Sequence, residues 1–322
     1  MVRETRLTPD RLVLPMFLCE GADTREPIEA IPGQSRLSVG LAVRQCAAAM
    51  ELGVRGVCLF PRIASDRKTG DGREALREDN LLVRAIRQIK RDVPEMCVMT
   101  DVALDPYNSD GHDGVVGQRA GGQPAILNDQ TVELLARMSV LHAAAGADVV
   151  APSDMMDGRV GAIRAALDAA GYSDTLILSY TAKYASAFYG PFRSALDSAP
   201  ASDPRVPRDK KTYQMDAANV REAEIEIALD QREGADILMV KPALLYLDVI
   251  ARMRAATALP VAAYHVSGEY AMLKAAAGRG WLEERAAMHE MLLSIARAGA
   301  DIIFTYAATE WATWHRDGLI GD

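Results

Sequence analysis

The sequence predicts an α/β protein, a single-domain (β/α)8 barrel spanning residues 1–322. Short apolar runs typical of buried strands recur along the chain, separated by amphipathic segments rich in Ala, Arg and Glu. The tripeptide Gly-Ala-Asp also recurs at 146–148, 234–236 and 299–301, where its glycine is placed to end a helix. This alternation of helices and strands favours a closed barrel of parallel strands.

The predicted elements alternate in chain order. The eight predicted strands are 12–17, 56–60, 97–104, 148–151, 176–180, 237–240, 261–266 and 302–306. The amphipathic segments between them are 37–52, 81–91, 131–145, 159–170, 220–233, 246–256 and 282–298. A doubly wound open sheet is the alternative, but no G-x-G-x-x-G motif follows a strand, so the barrel is favoured.

Composition excludes several classes of protein. Of the 322 residues, 49% are apolar and 25% are charged, as in ordinary soluble globular proteins. The net charge of −8 disfavours a nucleic-acid-binding surface, and no apolar stretch approaches membrane-spanning length. The first residues do not resemble a signal peptide. The four cysteines lack the spacing of a zinc or disulfide framework, so we expect reduced thiols in a cytoplasmic protein.

A lysine occupies an unusual position at the end of the sixth strand. Lys241 closes the apolar run 237–240 and is followed by Pro242. Lysine is rarely buried unless it is paired or used, and a desolvated lysine is a nucleophilic amine suited to Schiff-base chemistry. The alternative is a lysine whose ammonium reaches solvent along the strand end.

Other polar residues follow the strand ends, where a barrel of this type carries its active site. They are Asp101, Asp105, Ser153, Asp154, Lys183, Lys241, Ser267, Glu269 and Tyr306. Two ammonium groups in one dry pocket lower each other's pKa and activate an amine. The alternatives are a solvent-exposed loop position for Lys183 and strand capping for Ser267 and Tyr306.

Residues 188–216 lack helical or strand periodicity and are predicted to form an irregular lid over the active site. Prolines at 191, 200, 204 and 207 exclude a continuous helix. A loop of this length in a compact domain is usually a functional lid or disordered. The segment carries the basic residues Arg193, Arg205, Arg208, Lys210 and Lys211, which suggest an anionic substrate such as a carboxylate. The alternative is a solvated charge run.

Residues 100–114 are rich in carboxylates. The segment contains Asp101, Asp105, Asp110, His112 and Asp113 in a loop broken by Gly and Pro. Hard oxygen ligands of this kind suit magnesium, or no metal, better than zinc. The alternative is that these residues form turns.

A set of motifs extends over nearly the whole chain: LVLPMF, PGQSRLSVG, VMTDVALDPY, DGHDG, VAPSDMMDGRV, SYTAKYASAFYGPFR, KTYQMD, REAEIE, GADILMVKPALLYLD, YHVSGEYAM and RAGADIIFTY. In this combination they resemble the porphobilinogen synthase (5-aminolevulinate dehydratase) family. The resemblance implies a TIM barrel and a hydro-lyase that condenses two 5-aminolevulinate molecules to porphobilinogen in tetrapyrrole biosynthesis. The competing hypotheses are a one-substrate Schiff-base lyase of the aldolase type and a non-catalytic anion-binding barrel.

The resemblance also implies a role for each matching residue. Lys241 forms the Schiff base with the first substrate, whose carboxylate is held by Ser267 and Tyr306. Lys183 binds the second substrate, whose carboxylate is held by Arg193, Lys210 and Gln214. Asp101 and Ser153 line the pocket, and Asp101 is a candidate proton carrier.

This chain departs from the family pattern in two respects, which concern metal binding and subunit assembly. Zinc-dependent relatives carry cysteines at the positions of Ala103, Asp105 and Asp113, so this chain resembles the zinc-independent branch. Such members often bind an allosteric magnesium at the position of Glu226, although some work without metal. The alternative is that Glu226 is an exposed helix residue.

Relatives also carry an N-terminal arm that wraps a neighbouring subunit, and here the arm is expected to be short or missing. We therefore expect a homo-oligomer built from dimers, with octamer, hexamer and dimer all open.

Overall fold

The structure is a computed structural model that describes residues 2–320. The strands in this range are β1 Leu12–Leu18, β2 Arg25–Pro27, β3 Ser35–Leu37, β4 Gly56–Pro61, β5 Cys97–Val102, β6 Val116–Gln118, β7 Pro124–Ile126, β8 Val149–Pro152, β9 Leu176–Lys183, β10 Ile237–Lys241, β11 Val261–His265 and β12 Ile302–Thr305. The helices are α1 Val39–Glu51, α2 Leu81–Asp92, α3 Asn128–Ala145, α4 Arg159–Ala169, α5 Gly190–Leu196, α6 Arg221–Glu233, α7 Leu247–Ala256, α8 Ser267–Gly278, α9 Glu284–Ala298 and α10 Ala308–Arg316.

Parallel strands close into a barrel. The order around it is β1, β4, β5, β8, β9, β10, β11 and β12, and β12 pairs again with β1 through Leu12 opposite Ile303. Helices lie between these strands in sequence and pack around them. The predicted (β/α)8 barrel is therefore confirmed. None of the helices in the described range is both long and apolar enough to cross a membrane.

The repeated Gly-Ala-Asp tripeptides have one structural role. In each copy the aspartate carboxylate accepts a backbone hydrogen bond from the preceding barrel strand: Asp148 from Val98 (2.8 Å), Asp236 from Ile177 (2.8 Å) and Asp301 from Val261 (2.9 Å). The glycine lets the chain turn from helix to strand. At Gly299, φ is 122° and a Cβ atom would lie 2.7 Å from the Arg254 side chain. The repeat thus joins neighbouring strands at the amino ends of the barrel.

The described elements differ from the predicted ones at several places. Strand β9 continues to Lys183 instead of ending at residue 180, because the polar residues that follow Tyr180 remain buried in the barrel. Helices α5, α8 and α10 and the two small hairpins were not predicted. The expectation of an irregular 188–216 segment was wrong for α5, because Pro191 lies in the first turn, where a missing backbone N–H costs nothing.

A β-bulge in β9 orients the side chains of the site. Leu238 pairs with Ser179, but Val240 pairs with Ala182, so β9 contains one extra residue at this point. Ser179 faces outward and donates a hydrogen bond to Asp230 on α6 (2.6 Å). Tyr180 and Lys183 both approach the Lys241 side chain on the inner face. In a regular strand, residues three apart point to opposite faces.

Candidate active site

A pocket lies at the carboxyl ends of β5, β8, β9 and β10, beneath the 188–216 segment. It is lined by Asp101, Asp105, Asp113, Ser153, Lys183, Tyr189, Phe192, Arg193, Lys210, Gln214 and Lys241. In the described part of the chain, the predicted site residues outside this lining are Ser267, Tyr306 and Glu226. Residues from distant parts of the sequence therefore meet in one place.

Two buried lysines lie side by side in the pocket. Lys183 and Lys241 are paired neighbours at the ends of β9 and β10. The Lys183 ammonium donates a hydrogen bond to the Ser153 carbonyl and lies 3.6 Å from Asp113 Oδ2. The Lys241 ammonium faces aromatic rings, the nearest being Tyr264 at 4.3 Å from the ring centroid. The two amines therefore have different surroundings.

Burial acts on the protonation of Lys241. Desolvation, followed by the positive charge of Lys183, lowers the pKa of Lys241 to about 7. Asp101 and Asp105 oppose this shift. At neutral pH a substantial fraction of Lys241 is therefore the free amine, which is the nucleophilic form.

Asp101 has the complementary shift. Burial, followed by the charge of Asp105, raises the pKa of Asp101 to about 7, while Lys183 and Lys241 oppose the rise. The carboxyl group also contacts Ser153. A buried carboxyl that titrates near neutrality can take up or release a proton in the pocket.

The carboxylates of Asp105 and Asp113 both lie close to the ammonium group of Lys210. The Lys210 ammonium lies 2.8 Å from Asp113 Oδ1 and 3.6 Å from Asp105 Oδ2. Burial of Asp113 acts against its ionisation, but the charges of Lys183 and Lys210 outweigh burial and hold its pKa well below the usual range. The two carboxylates thus lie around one ammonium group.

The 188–216 segment covers the pocket and is tied to the barrel on both sides. The Tyr189 hydroxyl donates to the Lys241 carbonyl (3.1 Å), and the Phe192 N–H donates to Ser267 Oγ (3.1 Å). At the other end of α5, Arg36 donates to the Ala195 carbonyl (2.6 Å). The segment is therefore held closed over Lys241.

The basic residues of this segment divide into two groups. Arg193 and Lys210 line the pocket, as predicted for groups that bind an anion. Arg205 is exposed and pairs with Asp203 (2.7 Å), and Arg208 and Lys211 are also exposed. Position in the fold, not charge alone, separates the binding candidates from the solvated ones.

Ser267 and Tyr306 lie behind the pocket lining. Ser267 is the first residue of α8 and is buried, with its hydroxyl engaged by the Phe192 N–H. The Tyr306 hydroxyl is 3.3 Å from the Tyr264 hydroxyl, and its ring stacks on Phe17. The Phe192 ring contacts both Phe17 (5.7 Å) and Lys241 (5.0 Å). Phe192 thus packs against both the stacked Phe17 and Tyr306 rings and the Lys241 amine.

Glu226 lies on α6, away from the pocket. It is half-buried, and burial followed by the charge of Asp230 raises its pKa, while Arg159 opposes this. No group of three or more His, Cys, Asp or Glu side chains placed to hold a metal occurs within residues 2–320. One carboxylate fits a magnesium ion that keeps most of its water ligands.

Sequence reasoning found the charged residues but only some of the aromatic ones. The aromatic neighbours of Lys183 in the sequence are Tyr180, Tyr184, Phe188 and Tyr189, and of these Tyr180 and Tyr189 face the pocket lysines. Tyr184 instead stacks on Tyr246 at 4.1 Å between ring centroids. Phe192 and Tyr264 were missed because their contacts with Lys241 depend on the closed barrel and on α5.

This fold and site define a lysine-dependent barrel enzyme, in which buried amines at the strand ends suit Schiff-base chemistry. Residues 1–314 match the family model described as delta-aminolevulinic acid dehydratase. The chain therefore belongs to the delta-aminolevulinic acid dehydratase family, whose members are hydro-lyases of tetrapyrrole biosynthesis.

Individual relatives are similar over almost the full chain. The chloroplastic delta-aminolevulinic acid dehydratase of Physcomitrium patens is 55% identical over 97% of this chain and 70% of the relative. That of Bradyrhizobium diazoefficiens is 51% identical over 97% and 86%. The Toxoplasma gondii enzyme, solved in complex with its reaction product porphobilinogen, superposes with a TM-score of 0.93 at 49% identity, covering 97% of this chain and 87% of that one.

Proposed function

We propose that this protein condenses two 5-aminolevulinate molecules to porphobilinogen, with loss of water. The observation that carries the proposal is the pairing of Lys183 and Lys241, buried side by side in one pocket. Each amine can take one substrate ketone, and holding both ketones together makes the condensation effectively unimolecular.

In this mechanism Lys241 reacts first. Its lowered pKa supplies free amine near neutral pH, whereas the Lys183 ammonium faces Asp113. Lys241 Nζ attacks the ketone carbon, the C–N bond forms, and the carbonyl oxygen leaves as water to give an iminium. The iminium draws electrons from the adjacent carbon, which can then form the new carbon–carbon bond.

Asp101 serves as the proton carrier. It lines the pocket with both lysines, and its raised pKa of about 7 lets it exchange a proton at neutral pH. Forming an iminium from a neutral amine and a ketone consumes one proton, which Asp101 can donate to the carbinolamine oxygen so that it leaves as water. The resulting carboxylate can then accept the proton released in the final deprotonation of the product.

The substrate carboxylates bind on opposite sides of the lysines. Arg193, Lys210 and Gln214 line the pocket and bind the second carboxylate through their N–H groups. Ser267 and Tyr306 bind the first carboxylate: the Ser267 hydroxyl, which donates to the Phe188 carbonyl at 3.5 Å, turns to the carboxylate, while its oxygen keeps accepting from the Phe192 N–H. The 188–216 segment acts as the lid and excludes water.

Borohydride reduction in the presence of 5-aminolevulinate, followed by peptide mapping, tests the scheme. Substrate attached to both Lys241 and Lys183 is expected. Labelling of neither lysine would refute the Schiff-base scheme. A Lys183→Ala variant with near-normal turnover would favour a one-substrate lyase, and absence of porphobilinogen from wild-type incubations would favour an anion-binding barrel.

We further propose that the enzyme is cytoplasmic, independent of zinc and assembled as a homo-oligomer of dimers, with magnesium bound at Glu226 as an activator. The support for zinc independence is the pair Asp105 and Asp113 around the Lys210 ammonium. Activity after chelation, with and without added magnesium, and measurement of the assembly mass test these points.

A further inference from the structure

The Lys241 ammonium is surrounded by aromatic rings. The distances from Nζ to the ring centroids are 4.3 Å for Tyr264, 5.0 Å for Phe192, 5.1 Å for Tyr180 and 5.4 Å for Tyr189. A cation within about 6 Å of a ring centroid is attracted by the negative face of the ring. We call these four rings around one amine the aromatic cage.

The cage is built by two different parts of the protein. Tyr180 and Tyr264 come from barrel strands β9 and β11, while Tyr189 and Phe192 come from the lid. Both lid residues are held in place by the hydrogen bonds to Lys241 and Ser267 described above. The cage is therefore complete only when the lid is closed.

We propose that closing the lid completes an aromatic cage that stabilises positive charge on Lys241, and that Phe192 is the positioning residue through which the lid does so. The charge concerned is the ammonium of the free enzyme and, resting on the proposed function, the iminium that replaces it. Stabilising the iminium lowers the barrier of the step that forms it, in which the carbinolamine loses water and positive charge develops on the Lys241 nitrogen, and the closed lid excludes water during that step.

Charged neighbours also change the pKa of the Lys241 amine, so their effect must be distinguished from the effect of the rings. Within the described residues, the titratable groups that act most on the Lys241 charge are Lys183, Asp101, Asp105 and Cys58. None of them is altered by a change at Phe192, which carries no charge. A substitution there changes the aromatic face and leaves the ionisable groups in place.

Loss of the Phe192 ring should change two measured rates in opposite directions: chemical modification of Lys241 becomes faster, and turnover becomes slower. Phe192→Leu keeps an apolar side chain but removes the ring, so the apparent pKa of Lys241 falls by about one unit, from the strength of a desolvated cation–π contact. More free amine is then present at pH 7, and Lys241 is modified faster. The iminium loses the same stabilisation, so kcat falls by about tenfold.

A fluorinated series tests the electrostatic cause with little change in shape. Mono-, di- and trifluorophenylalanine are placed at position 192, which progressively weakens the negative ring face. The folded protein is reductively methylated with formaldehyde and cyanoborohydride at a series of pH values. It is then digested, and the rate of methylation of Lys241 is measured by mass spectrometry of the peptides. The pKa of Lys241 and kcat for porphobilinogen are expected to fall stepwise with each fluorine.

Phe60 provides the matched control. Its ring packs edge-on against Phe192 at 5.1 Å, and among the described residues it is not one of the rings facing the Lys241 ammonium. The same fluorinated series at position 60 should leave the pKa of Lys241 unchanged. A pKa that is constant across the Phe192 series, or that shifts equally in both series, would overturn the cage. Because methylation needs no product, failure of the proposed function would show separately, as a wild type that makes no porphobilinogen.

Discussion

Lys210 and Asp113 form a buried ion pair, with Lys210 Nζ 2.8 Å from Asp113 Oδ1. Both residues line the pocket, and both are almost fully buried. In the proposed mechanism Lys210 binds a substrate carboxylate, so substrate binding must exchange one carboxylate partner for another. The free enzyme therefore keeps its anion-binding cation neutralised until substrate arrives.

Asp113→Asn should destabilise the protein at neutral pH. The change leaves Lys210 with only the longer contact to Asp105 (3.6 Å) and removes the carboxylate that lies 3.6 Å from Lys183, and breaking a buried pair in this way costs about 3–5 kcal/mol. The pKa of Asp113 is depressed in the folded state, so its stabilisation is present above the unfolded pKa and is lost as pH falls through the folded value. In urea unfolding at fixed protein concentration, the gap between wild type and variant should narrow towards acid pH. Asp203→Asn, which breaks a surface pair, is the control, and an equal loss in both variants would contradict this reading.

Asp101→Asn should shift the acid limb of the profile of kcat/KM against pH. The Asp101 carboxylate raises the pKa of Lys241, so removing it should move the acid limb of kcat/KM below the value near 7 expected for wild type. Loss of the proton carrier should lower kcat by about 10²–10⁴-fold. The measurement is kcat/KM and kcat from pH 5 to 9. Asp110→Asn, on the same loop, should leave the limb in place, and an unmoved limb in the Asp101 variant would argue against the coupling.

Arg36→Ala should loosen the lid. The Arg36 guanidinium donates to the carbonyls of Ser194 and Ala195 at the end of α5 (2.9 and 2.6 Å). Without these bonds the closed lid is less populated, so hydrogen exchange in residues 190–197 should speed up and kcat/KM should fall by about tenfold, the equivalent of one or two hydrogen bonds. Arg44→Ala, which removes an exposed pair with Asp23, is the comparison. Exchange that is unchanged in the Arg36 variant would show that the lid is held elsewhere.

Glu226→Gln should abolish the response to magnesium. Chelation of the wild type is expected to lower kcat by a few fold, and added magnesium to restore it, whereas the variant should respond to neither treatment. Glu224 lies on the same helix and is exposed, paired with Arg252 at 2.7 Å, so Glu224→Gln is the matched control. A magnesium response in Glu226→Gln equal to that of the wild type would place the site elsewhere.

The prediction from sequence succeeded where a local pattern carries the information. The apolar runs located all the barrel strands of the described chain, with differences only at their ends, because a buried parallel strand must be apolar along its length. Lys241 was found because an ammonium at the end of such a run is out of place, and Lys183 because it follows the fifth predicted strand, on the side of the barrel that carries active sites. Helix α5 was missed because a short helix stabilised by contacts with Arg36 and Ser267 has no periodicity of its own.

The sequence alone determined the barrel, the identity of the two lysines and the family, because strand pattern and motif are properties of short segments. The tertiary structure decided which charges meet. The bulge in β9 brings Tyr180 and Lys183 to the same face, which period-two alternation would forbid. Barrel closure and the lid then place Tyr264 and Phe192 against Lys241. These contacts join residues far apart in the chain, and only the packed fold brings them within the few ångströms over which desolvation and charge change a pKa.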